Sequence, residues 1–362
     1  MSDDDYTIRR YESSDRYGFF DLYGRVFDES PSDEWFAWKY RDNPYFDGVP
    51  MVVAEAEGRL VGARPFLTMP IRAGEDVHLA FQPGDTMVGP SHQRRGLFTR
   101  MTERALDWFA GIESPRAAFC YNFPNEQSRP GYLKLGWREV GPVPVYRRVQ
   151  NPAALLDGGR LRGRLATIAS RSYLRATQPL RGQPADLSVE RSSGVPAATL
   201  ASLYERRVPA GFHAHRTPGF YRWRFANPVW EYGTYVVRRA DVPVAAGVIG
   251  AREGDGTTTA RLVEMVPLVS DGDSVGALRA LLAAVVGDLG DADMLSTFGP
   301  AISRGPLAAW GFLRDDRFPL SVVTDPATLV ARPIGSTDWN VDDRDLIASD
   351  DWHVSFTEWD IS

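Results

Sequence analysis

The stretch from Val88 to Trp108 constrains the fold more than any other part of the chain. It reads VGPSHQRRGLFTRMTERALDW, so an extended run ends at a Gly-Pro pair and apolar residues recur at helical spacing from Leu97 onward. A strand that passes through a glycine-bearing turn into a new helix leaves backbone N–H groups unpaired at the helix start. These groups and the helix dipole favour an anion in the turn, to which Arg94 and Arg95 add positive charge. The alternative is that both arginines are simply solvated.

A second motif follows downstream. Residues 125–137 read NEQSRPGYLKLGW, in which a tyrosine stands one turn before a glycine and an aromatic residue that end a helix. Together the two motifs resemble those of the GNAT superfamily of acyl-CoA-dependent N-acyltransferases. Gln93-x-x-Gly96 is similar to the family's Q/R-x-x-G-x-G/A pyrophosphate loop, although Phe98 stands at its final small position. The family's N-x-x-(small)-x-x-x-Y-x-K-x-G-(aromatic) pattern is matched by Asn125, Ser128, Tyr132, Lys134, Gly136 and Trp137.

The resemblance covers roughly residues 6–149 and implies that acetyl-CoA, or another acyl-CoA, is the donor. It implies that backbone amides around Arg94 to Thr99 bind the pyrophosphate and that the extended backbone at Met87 and Val88 pairs with the pantetheine. An N–H group near Val88 would stabilise the oxyanion. The acyl-CoA contacts implied in this way are Met87, Val88, Gln93, Arg94, Arg95, Gly96, Leu97, Phe98, Thr99, Asn125 and Ser128.

Two residues stand at positions that are catalytic in the family that the sequence resembles. Tyr132 stands where the resemblance places the general acid that protonates the departing CoA thiolate, and a phenol with a reference pKa of about 10 is protonated at neutral pH. A core tyrosine capped by solvent would give the same pattern. Asp85 lies on the strand before the loop, where the family often carries a carboxylate that acts as a base directly or through water. It could equally be a hairpin residue after Pro83 and Gly84.

Composition excludes several other classes of protein. No apolar run approaches the ~18 residues of a membrane span, and the acidic start MSDDDYTIRR is unlike a signal peptide, so we expect a cytoplasmic protein without a transmembrane segment. A net charge of −6 argues against nucleic-acid binding. The single cysteine, Cys120, excludes an internal disulfide and lies in an apolar run typical of a buried thiol. His213 and His215 could share one side of a strand, but such a pair is more often unliganded, and no metal is expected.

Hydrophobic periodicity predicts the element order β-α-α-β-β-β-α-β-α-β in the first half. This order is typical of an α/β (α+β) sandwich, in which helices flank a mostly antiparallel mixed sheet. The same architecture is implied by the resemblance.

The second half repeats the first. FYRWRFANP, from Phe220, echoes WFAWKYRDNP, from Trp35, with one residue dropped, and Gly311-Phe312 echoes Gly136-Trp137. Repetition on this scale indicates a duplicated domain. We therefore predict two GNAT-like domains.

The second copy lacks the residues that would carry the chemistry. Residues 270–273 read SDGD where the first copy has QRRG, and these carboxylates would repel a pyrophosphate. Leu307 aligns with Tyr132, and Pro300 with Asn125. The first copy is predicted to be active and the second to be a scaffold.

Trp35, Trp38 and Tyr40 are candidate acceptor-binding residues, because this region often lines the acceptor pocket in the family. Their pattern survives in the copy that lacks a cofactor site. Core packing, or a contact between the halves, is therefore the favoured interpretation.

The predicted organisation has four parts. They are a catalytic domain at 1–150, a basic helical linker at 151–186, a degenerate domain at 187–330 and an acidic segment at 331–362. The linker's alternating arginines and leucines would also suit a helix on a membrane surface or against a partner. In the last segment, the alternation from Trp352 to Phe356 predicts a terminal strand that could join either sheet.

The predicted function is acyl-CoA-dependent N-acyltransfer, with acetyl-CoA as donor and a primary amine as acceptor. Small amines, amino sugars, peptides and protein N-termini all remain open as acceptors. One alternative is a non-catalytic acyl-CoA sensor. Another is an aminoacyl transferase of the FemAB type, which also pairs two GNAT-like domains and would need a tRNA-facing basic surface, for which the linker arginines are the candidates.

Overall fold

The computed structural model describes residues 5–112, 116–151, 186–254, 256–268, 272–300, 304–322 and 324–360. Two mixed sheets flanked by helices, with one small two-stranded sheet, make up the described structure, which confirms the predicted fold class. Almost all of the predicted linker at 151–186 lies outside these ranges, as do residues 270 and 271 of the loop in the second copy. None of the described helices is long and apolar enough to cross a bilayer.

The first half follows the predicted order of elements, with one short strand added before the third helix. Its strands are β1 (Thr7–Arg10), β2 (Met51–Ala56), β3 (Arg59–Ala73), β4 (Asp76–Pro83), β5 (Met87–Val88), β6 (Ala117–Asn122) and β7 (Arg138–Val143). Its helices are α1 (Arg16–Phe27), α2 (Asp33–Phe36), α3 (Leu97–Ala110) and α4 (Arg129–Lys134). Helix α2 continues as a wider π-helical turn, Ala37–Arg41.

Many of the remaining elements repeat this pattern. The strands are β8 (Val145–Val149), β9 (Leu187–Ser192), β10 (His213–Ala214), β11 (Glu231–Arg239), β12 (Val242–Gly254), β13 (Thr257–Val266), β14 (Met294–Phe298), β15 (Leu313–Arg314), β16 (Ala327–Pro333), β17 (Asn340–Val341) and β18 (Arg344–Asp345). The helices are α5 (Ala197–Glu205), α6 (Pro218–Arg224), α7 (Gly272–Asp288) and α8 (Arg304–Ala309).

The two halves exchange a strand. The first sheet has the order β1-β2-β3-β4-β6-β16-β7, and the second has the order β15-β8-β14-β13-β12-β11-β9. Strand β8 therefore pairs within the second sheet, and β16 lies between β6 and β7 of the first. The short strand β10 of the second half also pairs with β3 of the first sheet, so the sheets differ from the predicted ranges 1–150 and 187–330 at β8, β10 and β16. Alternation in the sequence fixes which side chains are buried, but it does not fix which strand is the neighbour.

The repeat in the sequence is also a repeat in geometry. The carbonyl of Tyr132 accepts hydrogen bonds from the N–H groups three and five residues later, and the carbonyl of Leu307 does the same. Gly136 and Gly311 end the two helices with φ values of +82° and +76°. Both glycines adopt the left-handed conformation that closes a helix.

Helix α3 buries the apolar face that its sequence predicts, with Leu97, Met101, Ala105, Leu106 and Phe109 against the first sheet. Helix α7 covers the corresponding face of the second sheet. A further cluster joins the inner faces of both sheets. Cys120 is fully buried, and burial raises the pKa of its thiol to about 12.

The C-terminal segment from Trp352 to Glu358 is mostly buried and does not form the predicted strand. Trp352 makes an isolated bridge to Phe212. Beyond it, the side chain of Glu358 accepts from the Ser355 N–H at 2.8 Å, and the hydroxyl of Ser355 accepts from the Thr357 N–H at 3.1 Å. Side-chain hydrogen bonds of this kind compete with a strand ladder for the backbone groups.

Candidate active site

A cleft of about 340 Å³ opens where the strands of the first sheet separate. Strand β4 pairs in parallel with β6 only from Leu79 to Phe81. Beyond Pro83 the chain turns at Asp85, which has a φ of +41°, and pairs as β5 with β3 instead. Among the described strands, β5 therefore pairs only with β3, and its other edge is left without a strand partner.

The turn before α3 is open to an anion. Gly96 precedes the helix with a φ of +72°, and Arg94 has a φ of +60°. Within the described chain, no side chain caps this helix, so the N–H groups of its first turn are left for another partner. Arg94 and Arg95 are both exposed beside the turn.

Gln93 folds back toward β5. Its Nε2 donates to the Val88 carbonyl at 3.4 Å. Val88 and Met87 pair with Gly62 and Ala63 of β3, which holds their backbone extended. Met87 is fully buried, so its backbone rather than its side chain is the part that can take part in binding.

Asn125 and Ser128 line the cleft at the start of α4, where the Ser128 N–H donates to Asn125 Oδ1 at 2.9 Å. Phe98, the departure from the small residue of the motif, also lines the cleft. A Cβ atom on Gly131 would come within 3.1 Å of the Phe98 ring, so α4 can approach this closely only because the residue there is glycine. The ring of Phe98 therefore packs beside α4.

Tyr132 lies in the cleft wall and is only 3% exposed. Phe98 and Trp137 pack edge-on against its ring, at centroid distances of 5.8 and 5.4 Å. Its hydroxyl accepts from Asn122 Nδ2 at 2.7 Å and from Arg64 Nη1 at 3.2 Å. Because both of these contacts are donated to the oxygen, the phenolic proton is left for a group in the cleft.

Arg64 is a site residue that the sequence analysis missed. It is fully buried in β3 and donates through Nη1 to Tyr132 and to the hydroxyl of Thr86. Its Nε and Nη2 have no hydrogen-bond partner in the described parts of the chain. The sequence does place this arginine inside the apolar run LVGARPFLTM. Because a buried charge is costly unless it is paired, an arginine in such a run indicates a partner or a functional role.

A second charged group lines the same cleft. Lys39 Nζ lies 2.6 Å from Asp85 Oδ2 and 2.8 Å from Asp360 Oδ2. Tyr40 donates to Asp85 Oδ2 at 2.5 Å. Two carboxylates therefore share one ammonium group, which leaves an excess of negative charge when both are ionised.

Burial and the neighbouring charges change the proton affinities of this group. Burial raises the pKa of Asp85, and Lys39 opposes that shift in part. Burial alone would lower the pKa of Lys39, but attraction to Asp360 and Asp85 outweighs burial and raises it. The lysine therefore stays charged, and Asp85 is a stronger base than an exposed aspartate.

The aromatic residues proposed for the acceptor lie behind the cleft. Trp38 is in the contact between the halves, where its indole nitrogen donates to the Trp223 carbonyl at 2.7 Å. Trp35 is buried with its ring 4.9 Å from Lys39 Nζ, and Tyr40 is fully buried beneath Asp85. Of the described residues that line the cleft, none belongs to this aromatic group.

His213 is fully engaged by its neighbours. Its Nδ1 donates to the Gly211 carbonyl at 2.7 Å, and its Nε2 accepts from the Tyr204 hydroxyl at 2.8 Å. Burial lowers the pKa of His213 to about 3. Across the described ranges, no cluster of three His, Cys, Asp or Glu residues has metal-binding geometry.

Comparison with known families matches residues 7–140 to the acetyltransferase (GNAT) domain. No curated protein matches the chain by sequence. A GCN5-related N-acetyltransferase from Anabaena variabilis aligns over 91% of this chain and 73% of its own, with a TM-score of 0.59 and 12% identity. A conserved protein from Enterococcus faecalis, described as a probable N-acyltransferase, aligns over 91% of this chain and 72% of its own, with a TM-score of 0.63 and 12% identity.

A tandem GNAT protein from the clavulanic acid biosynthesis pathway aligns over 92% of this chain and 100% of its own. The TM-score is 0.54 and the identity is 13%. At such identities the likeness shows a shared fold, here one that spans both halves.

Proposed function

We propose that the chain, whose residues 7–140 match the acetyltransferase (GNAT) domain, transfers an acetyl group from acetyl-CoA to a primary amine. The reaction breaks the C–S bond of the thioester and forms a C–N bond. The amine must lose a proton, and the CoA thiolate must gain one. The observation that carries the proposal is the pair of hydrogen bonds donated to the Tyr132 hydroxyl, which leave its proton free for a leaving group in the cleft.

Tyr132 acts as the general acid. When its proton moves to the thiolate, the phenolate oxygen keeps the hydrogen bonds from Asn122 and Arg64, and both strengthen as negative charge develops. The guanidinium of Arg64 has further N–H groups buried at the cleft and without partners in the described structure, which fits a polar or anionic group of the thioester.

Asp85, supported by Asp360, accepts the proton of the amine. The two carboxylates attract an ammonium group into the cleft, and burial of Asp85 favours its protonated form. Lys39 holds both carboxylates in place through one buried nitrogen. Asp85 is thereby positioned as the base, either directly or through a water molecule.

The N–H groups at the start of α3, with Arg94 and Arg95, hold the pyrophosphate of acyl-CoA, and the free edge of β5 pairs with its pantetheine. The second half has Leu307 at the position of Tyr132 and so offers no equivalent acid. The first half is therefore the active one, and the second half is a scaffold.

The test uses the full chain with acetyl-CoA and a panel of primary amines. CoA release is followed with a thiol reagent, acetylated products by mass spectrometry and acetyl-CoA affinity by calorimetry. Arg94→Glu with Arg95→Glu should weaken acetyl-CoA binding by about 10-fold or more. Arg104→Glu, a charge reversal further along the exposed face of α3, is the matched control.

Absence of acetyl-CoA binding would overturn the proposal. Binding without release of CoA to any amine would instead favour a non-catalytic acyl-CoA sensor. Salt-dependent tRNA binding in place of acetyl-CoA binding would favour an aminoacyl transferase.

A further inference from the structure

A second cavity, of about 260 Å³, adjoins the cleft on the inner face of the second sheet. Trp359 and Asp360 line both cavities, so the C-terminal segment forms the wall that they share. A ligand held in the second cavity would therefore meet the charged end of the cleft at Asp360.

Three arginines converge on this second cavity. Arg261 of β13 is in register with Ser296 of β14, which is in register with Arg147 of β8. Because strands lie ~4.8 Å apart and side chains alternate between faces, the two arginines flank the serine on one face. The adjacent residues Ala260 and Leu295 point to the opposite face, into the core beneath α7. Arg252 of β12 completes the set, which we call the arginine pocket (Arg147, Arg252 and Arg261).

The positive charge of the arginine pocket has no ion-pair partner among the residues that the structure describes. In the described ranges, no carboxylate forms an ion pair with any of its three guanidinium groups. Arg147 contacts Met294 Sδ at 3.8 Å, and its Nε is buried without a partner in the described structure. The pKa of Arg261 is lowered to about 10 by burial and by repulsion from Arg147 and Arg252.

Aromatic side chains hold Arg261 in place at the cavity. The guanidinium of Arg261 lies 4.5 Å from the Trp230 ring and 5.2 Å from the Phe356 ring, which orients it toward the cavity. Charges of one sign that repel each other in a partly buried site are stabilised by a bound ion of the opposite sign. Guanidinium groups bind carboxylates and phosphates through paired, charge-assisted hydrogen bonds.

We propose that the arginine pocket binds an oxyanion, a carboxylate or a phosphate, carried by the amine acceptor. The inference rests on the acetyl transfer proposed above. With its oxyanion at Arg147 and Arg261, the acceptor extends along the shared wall, and its amino group reaches the carboxylates of Asp360 and Asp85. The acceptor is therefore an anionic primary amine, and the half without the acid supplies its anchor.

The experiment compares three series of primary amines of increasing chain length with acetyl-CoA and the full chain. The series are ω-amino carboxylates, ω-aminoalkyl phosphates and the carboxamides of the first series. We expect one anionic series to exceed the carboxamides in kcat/KM by about 10-fold or more at one favoured chain length. The difference should come from a lower KM for the anionic amines. The series that wins identifies the oxyanion.

Arg147→Gln with Arg261→Gln should abolish this preference, while acetyl-CoA affinity stays unchanged. Arg261→Lys keeps the charge and should retain part of the preference. Arg222→Gln, which removes an exposed arginine on α6, is the matched control and should retain all of it. Equal kcat/KM for the anionic amines and the carboxamides, or a preference that survives in the double variant, would overturn the proposal.

A separate binding measurement keeps this test independent of catalysis. The N-acetylated carboxylates and phosphates are titrated by calorimetry into the wild type and the double variant, without acetyl-CoA. Binding that is lost in the double variant supports the arginine pocket even if no amine is acetylated, whereas no binding to the wild type contradicts it. Failure of acetyl-CoA to bind would count against the proposed function alone.

Discussion

Trp38 and Trp223 each donate an indole N–H to the backbone carbonyl of the other, at 2.7 and 3.0 Å. Their rings are stacked, with centroids 6.2 Å apart and planes 22° apart. The two residues occupy equivalent positions in the repeated sequence, so the contact has the reciprocal form of a two-fold interface. A duplicated chain thus joins its halves as a symmetric dimer would.

Replacing Trp38 by phenylalanine should lower the free energy of unfolding by about 1 kcal/mol more than replacing Trp137 does. Both substitutions shrink a buried indole, but only Trp38 loses a hydrogen bond to the other half. The Trp137 Nε1 is buried and has no partner within the described residues. Denaturant unfolding of both variants measures the difference, and equal losses would mean that the reciprocal bond contributes no stability.

Tyr132→Phe should reduce kcat by about 10²- to 10⁴-fold and leave the affinity for acetyl-CoA nearly unchanged. The substitution removes the proton donor but keeps the ring that packs against Phe98 and Trp137. Tyr17→Phe, at a tyrosine that is 77% exposed, is the matched control. An unchanged kcat in Tyr132→Phe would remove Tyr132 from the mechanism.

The parts of the site that could be predicted from the sequence are those fixed by local patterns. Helical spacing identified α3 from Leu97, and Gly96, which precedes it, has the positive φ that a glycine adopts readily. Tyr132 was found because its motif is contiguous, and its equivalence to Leu307 is visible in matching helix ends. These features depend on residues close together in the chain.

The features that were missed depend on residues far apart in the chain. Arg64 and Tyr132 meet across 68 positions, and Lys39 and Asp85 across 46. The placement of β8 and β16 depends on pairing between the halves, which alternation does not encode. The run from Trp352 alternates like a strand, but backbone N–H groups at Ser355 and Thr357 donate to nearby side chains instead of to a ladder.

Stability should fall as the pH is lowered, and His213 accounts for a defined part of the fall. Burial, and then the charge of Arg216, lower the pKa of His213 to about 3. An unfolded histidine titrates near about 6.5, so between these values the unfolded state binds a proton that the folded state does not. The cost is about 1.4 kcal/mol for each pH unit in that window.

His213→Asn removes the side chain that binds this proton. The unfolding free energy of the variant should therefore decline less steeply than that of the wild type below about pH 6. Denaturant unfolding at a series of pH values gives the two slopes. Other titrating groups are common to both proteins and cancel in the comparison. Parallel slopes would show that His213 gains a proton in the folded state as readily as in the unfolded state.

Arg64 and Arg216 are both fully buried. Comparing them tests whether Arg64 serves the reaction at the expense of stability. Arg216 is paired with Glu264 at 2.6 Å and with Glu358 at 2.7 Å, whereas Arg64 has no carboxylate partner in the described ranges. Arg216→Met leaves two buried carboxylates uncompensated and should cost about 3–5 kcal/mol.

Arg64→Met places an apolar side chain of similar length where a guanidinium has unsatisfied N–H groups, so it should cost far less or even stabilise the fold. It should nevertheless reduce kcat, because Tyr132 loses a donor that stabilises the phenolate. Unfolding free energy and CoA release, measured on both variants, separate the two roles. If Arg64→Met is as unstable as Arg216→Met, then Arg64 is a structural residue, and the charge in the cleft wall is not there for the reaction.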